Sequence, residues 1–415
     1  MIGGNAGLLC ATPVCSGTRV LPRLTQAFRR KCGLFALRID RVGYNFPRGE
    51  LLLMNRRQLF GATSALLLAL GLAGCKDEQQ SNTAAAPVET VHWKLVTTWP
   101  KNYPGLGTGA DDFAKRVERM SNGRLVIKTY AAGELVPAME VFDAVSRGTA
   151  QMGHGPSYYW KGKVPAAQFF TSVPFGLNTA EFNSWITYGG GMQLWEEAYA
   201  PHGVKPLLGG NSGMQMGGWF NKEINTVDDL KGLKIRMPGL GGEVIGSIGA
   251  TPIIVPGSEV FTALQTGMID ATDWVSPYND LASGIHKAAK YYYYPSWAEP
   301  QAAIELLINK AAWDALPADL QAILEEAARG SLQLMIDEYV YNNAKALQEL
   351  QKQGVILKKF PAEVVSALQV QSEQVMDKFA AESDLNQRIW TSMKQFRELT
   401  SPMGEVTDKN IYEWR

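Results

Sequence analysis

The chain has 415 residues, which is enough for two or three domains, and its composition is ordinary for a soluble protein, with 46% hydrophobic and 19% charged residues. Removing residues 1–74, which carry ten Lys and Arg and two Asp and Glu, leaves 30 basic and 38 acidic residues and a net charge of −8. An acidic protein of this kind gives no indication of nucleic-acid binding. The four cysteines are Cys10, Cys15, Cys32 and Cys75, so the chain after residue 74 has no pair for a disulfide and must rely on its hydrophobic core.

Residues 54–74 have the pattern of a bacterial export signal. Arg56 and Arg57 precede a short apolar run, which ends at Leu72-Ala73-Gly74-Cys75, a sequence that resembles a lipoprotein cleavage site. The run is too short for a permanent transmembrane helix. We therefore expect export by the Sec or Tat route, lipidation of Cys75, and a periplasmic location with a lipid anchor. The alternative is a buried helix that ends at a cysteine by chance.

The segments on either side of this signal have different explanations. Residues 1–53 precede a complete signal sequence, so we interpret them as an upstream extension from a misassigned start codon and expect translation to begin at Met54. Residues 75–90 are polar and have neither a helical nor a strand period, which is typical of a flexible tether.

Strands and helices alternate at the beginning of the folded part. Residues 91–99 and 125–130 have the pattern of strands, whereas residues 110–120 and 138–147 have the apolar spacing of helices. This order predicts a parallel sheet covered by helices, and therefore an α/β protein.

An internal repeat indicates two lobes built on the same plan. Residues 140–151 line up with residues 259–270, and each copy reads as a helix that ends at a glycine and leads into a strand. The alternative is a coincidence between two good helix formers. The glycine-rich segment 209–220 lies between the copies and is typical of a hinge. We place lobe 1 mainly in residues 91–213 and lobe 2 mainly in residues 214–300.

Residues 301–415 are predicted as a long helix and further C-terminal helices. The helical pattern from Pro317 to Gln353 is too long for one lobe, so we expect this helix to pack across both lobes or against a second subunit. Two more helices are predicted at 361–381 and 385–398.

Arg236 is the candidate anion-binding residue. It lies in the alternating sequence Leu233 to Pro238, which predicts a strand followed by a helix that begins near Gly241. A guanidinium group can hold a carboxylate by two parallel hydrogen bonds, and the free N–H groups of a helix N-terminus favour the same anion. The alternative is a surface salt bridge.

The remaining inventory indicates binding rather than catalysis. The four histidines have no metal-ligand spacing, and no pair of carboxylates is singled out for acid–base chemistry. Asp273 and Gln215 offer oxygen ligands for a hard cation, while Trp274, Tyr158 and Tyr159 offer apolar walls. The alternatives are a helix cap or surface acid for Asp273 and core packing for the aromatic residues.

Four motifs, together with the leader, resemble the solute-binding proteins of TRAP transporters, in particular the branch that binds 2-oxo and 2-hydroxy monocarboxylates. They are WKLVTTWP at 93–100, MQMGGWF at 214–220, LKIRMPG at 233–239 and GMIDATDW at 267–274. The resemblance implies a two-lobe periplasmic binding protein fold of type II-like form, a long helix that spans both lobes, and closure around the ligand. It also implies a homodimer and membrane permease subunits as partners.

The resemblance also assigns roles to individual residues. Arg236 matches the arginine that binds the substrate carboxylate. The residues that match a metal site, where Na⁺ or Ca²⁺ and the ligand are held together, are Gln215, Asp273, Trp274 through its backbone carbonyl, and Gln301. Ser157 and Tyr158 match the cavity wall. The expected function is capture of pyruvate, lactate or a longer 2-oxo acid for uptake driven by an ion gradient. A receptor that serves a sensor kinase, a secreted metal-dependent hydrolase using Asp273 and a sugar-binding receptor are the alternatives.

Overall fold

The computed structural model describes residues 90–414. The predicted extension (1–53), the signal peptide (54–74), the lipidation site Cys75 and all but the last residue of the tether (75–90) lie outside this range. None of the helices in the described part is long and apolar enough to cross a membrane.

Two mixed β-sheets form the framework. The first has the order β2-β1-β3-β10-β4 and the second the order β11-β9-β5-β8-β6-β7. The strands are β1 Val91–Thr97, β2 Leu125–Tyr130, β3 Met152–Gly155, β4 Val204–Asn211, β5 Gly218–Phe220, β6 Lys234–Arg236, β7 Thr251–Ile253, β8 Ala271–Thr272, β9 Tyr291–Tyr294, β10 Ala303–Asn309 and β11 Ile356–Lys359. β1, β2 and β3 are parallel to one another, as expected from the strand and helix order, and β10 runs antiparallel between β3 and β4.

Helices cover both sheets. They are α1 Leu106–Met120, α2 Val141–Ser146, α3 Thr179–Tyr188, α4 Gly191–Tyr199, α5 Gly239–Ser247, α6 Val260–Gln265, α7 Pro277–Ser283, α8 Lys310–Asp314, α9 Ala318–Lys352, α10 Ala362–Ala380, α11 Asp384–Val406 and α12 Asp408–Glu413. Short 3₁₀ helices lie at Ala138–Glu140, Ser157–Trp160, Pro165–Phe170, Ala200–His202, Val227–Leu230, Gly257–Glu259 and Ile285–Lys287.

The first sheet is buried on both faces, which explains its nearly continuous apolar strands. One face packs against α1 and the N-terminal half of α9 through residues such as Phe113 and Leu324. The other face packs against an aromatic cluster in which Phe170 stacks on Trp195 with ring centroids 5.0 Å apart.

The repeat predicted from the sequence is confirmed in the two sheets. In each copy a 3₁₀ turn leads into a short helix, α2 or α6, and then into a strand, β3 of the first sheet or β8 of the second. Gly148 and Gly267 follow the two helices with φ of 75° and 73°, a backbone region that favours glycine. Pro156, just after the first repeat strand, and Trp274, just after the second, line the same cavity.

The chain passes between the sheets at two places that matter for the site. Residues 212–217 connect β4 of the first sheet to β5 of the second, within the segment predicted as a hinge. Residues 295–302 connect β9 of the second sheet back to β10 of the first. The predicted description of residues 301–415 as helices did not include β10 and β11, which complete the two sheets.

The long helix is present and packs on both lobes. α9 has 35 residues, with Pro317 and Gln353 as its flanking cap residues, and so agrees with the predicted extent. Its N-terminal half contributes Leu320 and Leu324 to the core of the first lobe, and Met335 and Tyr339 lie in the apolar cluster beside the second.

Candidate functional site

Arg236 lies at the carboxyl end of β6, two residues before the N-cap of α5. Its side chain is buried, and its Nη1 donates to the backbone carbonyl of Asp273 at 2.8 Å, while Nη2 donates to Tyr159 Oη at 3.2 Å. Its Cζ lies 4.9 Å from the ring centroid of Trp274. Because its hydrogen-bond partners are a carbonyl and a phenol rather than a carboxylate, the guanidinium is not in a surface salt bridge. A buried cation of this kind favours an anionic ligand.

Three buried side chains near this arginine have oxygen atoms without hydrogen-bond partners. Asp273 immediately follows β8 and is 0% exposed, and its carboxylate oxygens accept from no N–H group or hydroxyl; the carboxyl group of Glu299 is its hydrogen-bonding neighbour, through a proton held between the two acids. Gln215 and Glu299 are 3% and 4% exposed, and Gln215 Oε1 and Glu299 Oε2 also lack partners. Since buried polar atoms are normally hydrogen-bonded, these oxygens indicate a site for a cation or for the polar atoms of a ligand.

The two carboxyl groups influence each other's protonation. Burial raises the pKa of Asp273 to about 6, although the nearby Arg236 opposes this shift. Burial and the negative charge of Asp273 raise the pKa of Glu299 well above its ordinary value. Two buried acids in this arrangement need a proton or a metal cation to compensate their charge.

The wall from the first lobe is the 3₁₀ turn Ser157–Trp160, which follows β3. Tyr158 packs against the start of α5, because a Cβ atom at Gly239 would lie 3.1 Å from its ring. The hydroxyl of Ser157 is hydrogen-bonded to Thr171 Oγ1 at 2.7 Å and is not part of the cavity surface. Tyr159, whose phenol contacts Arg236, therefore faces the site more directly than Ser157.

Both lobes line a small cavity next to Arg236. The volume of this cavity in which the centre of a water molecule can lie is about 20 Å³, which is room for about one or two water molecules. Asp273 is not part of the lining and lies beside it, next to Trp274 in the chain. The lining residues are Trp99, Leu106, Pro156, Tyr158, Tyr159, Ser212, Gln215, Arg236, Trp274, Val275, Ala302 and Ile304.

Gln301 and Glu299 differ in the hydrogen-bond partners of their side-chain oxygens. Gln301 is buried, but its Oε1 accepts a hydrogen bond from Asn211 Nδ2 at 2.7 Å and its Nε2 donates to the carbonyl of Thr171 at 2.8 Å. Glu299, two residues earlier, has the unpartnered oxygen and faces Asp273. The sequence analysis missed Glu299, although it is the only acid in residues 291–304, an otherwise apolar and aromatic stretch.

Comparisons with known proteins identify the family and several relatives of this chain. Residues 95–383 match the family model described as bacterial extracellular solute-binding protein, family 7. The chain is 41% identical over 357 residues to a monocarboxylate 2-oxoacid-binding periplasmic protein of Nostoc sp., covering 86% of this chain and 97% of that protein.

Among the solved structures that share the fold, two with a TM-score of 0.77 have a bound organic acid and a cation. One is a TRAP periplasmic solute-binding protein from Pseudoalteromonas atlantica with bound sodium and pyruvate, 42% identical, covering 78% of this chain and 99% of that chain. The other is a TRAP transporter solute-binding protein from Bordetella bronchiseptica, a mixed-occupancy dimer with copurified calcium and picolinate. It is 36% identical and covers 79% of this chain and 97% of that chain. The chain therefore belongs to the bacterial extracellular solute-binding proteins of family 7, and its two-lobe α/β fold is that of TRAP periplasmic receptors.

Proposed function

We propose that this protein is a periplasmic receptor that binds a small 2-oxo or 2-hydroxy monocarboxylate together with Na⁺ or Ca²⁺ and delivers it to a TRAP permease. Pyruvate, lactate and longer 2-oxo acids are the candidate ligands. The observation that carries the proposal is the buried Arg236 beside the unpartnered oxygens of Gln215, Asp273 and Glu299.

The residues present fit a hard cation. Within residues 90–414 no group of three His, Cys, Asp or Glu side chains could hold a metal, so amide, backbone and ligand oxygens must complete the coordination. We propose Gln215 Oε1, the carboxylates of Asp273 and Glu299, and the backbone carbonyl of Trp274 as protein ligands. A 2-oxo acid would supply further oxygens from its carboxylate and its neighbouring carbonyl.

Charge balance explains why either cation is compatible with this site. Arg236 and a monocarboxylate ligand cancel each other's charge. Na⁺ then balances one ionised carboxylate of the Asp273 and Glu299 pair, whereas Ca²⁺ balances both. In each case the buried charges sum to zero, which lowers the free energy of burying them.

The closed arrangement of the lobes supports delivery of a ligand-loaded form. Tyr159 of the first lobe contacts Arg236 of the second at 3.2 Å, and Lys161 Nζ pairs with Glu243 Oε1 at 2.6 Å. A ligand that contacts both lobes stabilises this closed form by its differential affinity for the two conformations. The permease can then recognise the loaded receptor by the surface that exists only when the cleft is closed.

The remaining parts of the proposal concern anchoring and assembly. We propose that the receptor is exported, lipidated on Cys75 and held at a periplasmic membrane surface.

We also propose a homodimer, because α11 has a row of exposed apolar side chains at helical spacing, Leu399, Met403 and Val406, which are 63% to 74% exposed. Such a row on a soluble monomer is typical of an interaction surface.

Calorimetry on the purified protein tests the ligand class. After removal of endogenous ligand, pyruvate, lactate and longer 2-oxo acids are titrated with Na⁺ or with Ca²⁺. We expect tight binding by the wild type and a loss of at least about 100-fold in Arg236→Ala, because truncation leaves the ligand carboxylate buried without its partner. Arg329→Ala removes an exposed arginine of α9 and serves as the matched control. Failure of every acid to bind with either cation, or wild-type affinity in Arg236→Ala, would contradict the proposal.

A further inference from the structure

Tyr103 connects the two lobes through its hydroxyl group. It lies in the loop between β1 and α1, on the first lobe, and is half-buried. Its Oη accepts a hydrogen bond from Trp274 Nε1 at 2.9 Å, donates to the backbone carbonyl of Asn279 at 3.3 Å and is 2.8 Å from Ser283 Oγ. All three partners belong to the second lobe or to α7 beside it. The Tyr103 hydroxyl therefore makes its hydrogen bonds to groups on the other side of the lobe boundary.

The loop that carries Tyr103 also forms part of the ligand cavity. Trp99 before the loop and Leu106 after it both line the cavity beside Arg236. The adjacent residue Pro104 adds a second connection, because its backbone carbonyl accepts a hydrogen bond from Asn279 Nδ2 at 2.8 Å. Docking of this loop on α7 therefore brings two apolar walls of the cavity into place.

Trp274, the partner of Tyr103, is held tightly in the second lobe. One face of its ring lies near the guanidinium of Arg236, 4.9 Å from Cζ to the centroid. Its far edge packs on Gly257, where an added Cβ would lie only 2.5 Å from Cη2. The ring has little room to move, so the Nε1 group presents a fixed hydrogen-bond donor to the first lobe.

We propose that Tyr103 is a positioning residue that holds the cleft closed over the ligand and thereby sets the dissociation rate. This inference rests on the proposed function and extends it to a residue outside the assigned binding set. In the open protein, water satisfies the Trp274 and Ser283 donors. In the closed protein, Trp274 is only 5% exposed and its Nε1 donates to Tyr103, so removal of the Tyr103 hydroxyl leaves this buried donor without that partner in the closed form.

The test is stopped-flow measurement of ligand association and dissociation by tryptophan fluorescence, with pyruvate and either cation. We expect Tyr103→Phe to raise the dissociation rate constant about 10-fold. The association rate constant stays within about threefold of wild type, because encounter with the open cleft does not involve the hydroxyl. Ser283→Ala removes one partner of Tyr103 and keeps the phenol, so a smaller rise in dissociation is expected.

Tyr278→Phe is the matched control. Tyr278 also lies on α7, but its hydroxyl donates to Glu338 of α9 at 3.0 Å and does not contact Trp274. Its variant should have both rate constants within about twofold of wild type. A wild-type dissociation rate in Tyr103→Phe, or an equal rise in Tyr278→Phe, would overturn the role of Tyr103 and leave the proposed function standing. Absence of binding in the wild type itself would overturn the proposed function, and this inference with it.

Discussion

Two pairs of buried carboxyl groups differ in the partners of their oxygen atoms. Asp273, Glu299, Asp280 and Glu305 are all at most 4% exposed, and burial raises the pKa of each. Asp280 accepts hydrogen bonds from Trp219 Nε1 at 2.8 Å and Tyr292 Oη at 2.6 Å, and Glu305 accepts from Tyr199 Oη at 2.9 Å and from Trp160 Nε1. Three of the four oxygens of Asp273 and Glu299 accept from no N–H group or hydroxyl, and the two carboxyl groups face each other.

The comparison of the two pairs shows which property separates a binding-site acid from a structural one. Burial and a raised pKa are common to both pairs, so neither property distinguishes a ligand-binding acid from one that stabilises the core. The distinguishing features are oxygen atoms without partners and a buried arginine beside them. Asp280 and Glu305 are satisfied by indole and phenol donors and hold aromatic side chains in place.

The largest expected effect comes from matched amide substitutions in the two pairs. Asp273→Asn should weaken cation-assisted binding of pyruvate about 100-fold, because the amide removes a negative charge and places N–H groups where a cation needs oxygens. Asp280→Asn should change affinity by less than about threefold, while costing about 1–3 kcal/mol of stability through a mismatched hydrogen-bond network. Calorimetry and thermal unfolding measure both. Equal losses of affinity in the two variants would remove the distinction between the pairs.

A smaller effect is expected at Glu299, which sharpens its assignment to the cation site. Glu299→Gln keeps one oxygen ligand but removes a charge, so we expect about a tenfold loss of affinity with Ca²⁺ and a smaller loss with Na⁺. The measurement is ligand affinity at a series of concentrations of each cation. An unchanged Ca²⁺ dependence would exclude Glu299 as a ligand.

A further expected effect concerns the pH dependence of stability and not binding. Because folding raises the pKa of Glu305 from 4.5 to about 8, the folded protein keeps a proton that the unfolded chain releases. The free energy of unfolding therefore falls as the pH rises from about 4.5 to about 8, by at most about 1.4 kcal/mol per pH unit from this group. Glu305→Gln should remove that part of the decline.

Chemical unfolding at several pH values between 5 and 9 tests this prediction. Glu363→Gln, at an exposed position of α10, is the control and should follow the wild type. If the free energy of unfolding had the same pH dependence in Glu305→Gln and in the wild type, Glu305 would be ionised in the folded protein. The prediction that burial keeps this carboxyl group protonated would then be wrong.

Features that depend on nearby residues were predictable from the sequence. The repeat, the segment that crosses between the sheets, the long helix and the strand that carries Arg236 all follow from periodicity, glycine positions and residues that are close in the chain. Gln215, Asp273 and Trp274 were identified because they lie in recognisable motifs. The sequence positions of these motifs do not predict how far apart the motifs lie in the folded protein.

The tertiary structure decided which of several similar residues face one another. Glu299 and Gln301 lie two residues apart on the segment between the sheets. Packing places the Gln301 amide against Asn211 and Thr171, whereas Glu299 Oε2 is buried without a partner. Likewise, Tyr103 is an ordinary loop tyrosine in the sequence, 171 positions from Trp274. The amino-acid sequence by itself predicted the two lobes and an anion-binding role for Arg236. Only long-range packing decided the remaining contacts, because a hydrogen bond between distant residues has no local sequence pattern.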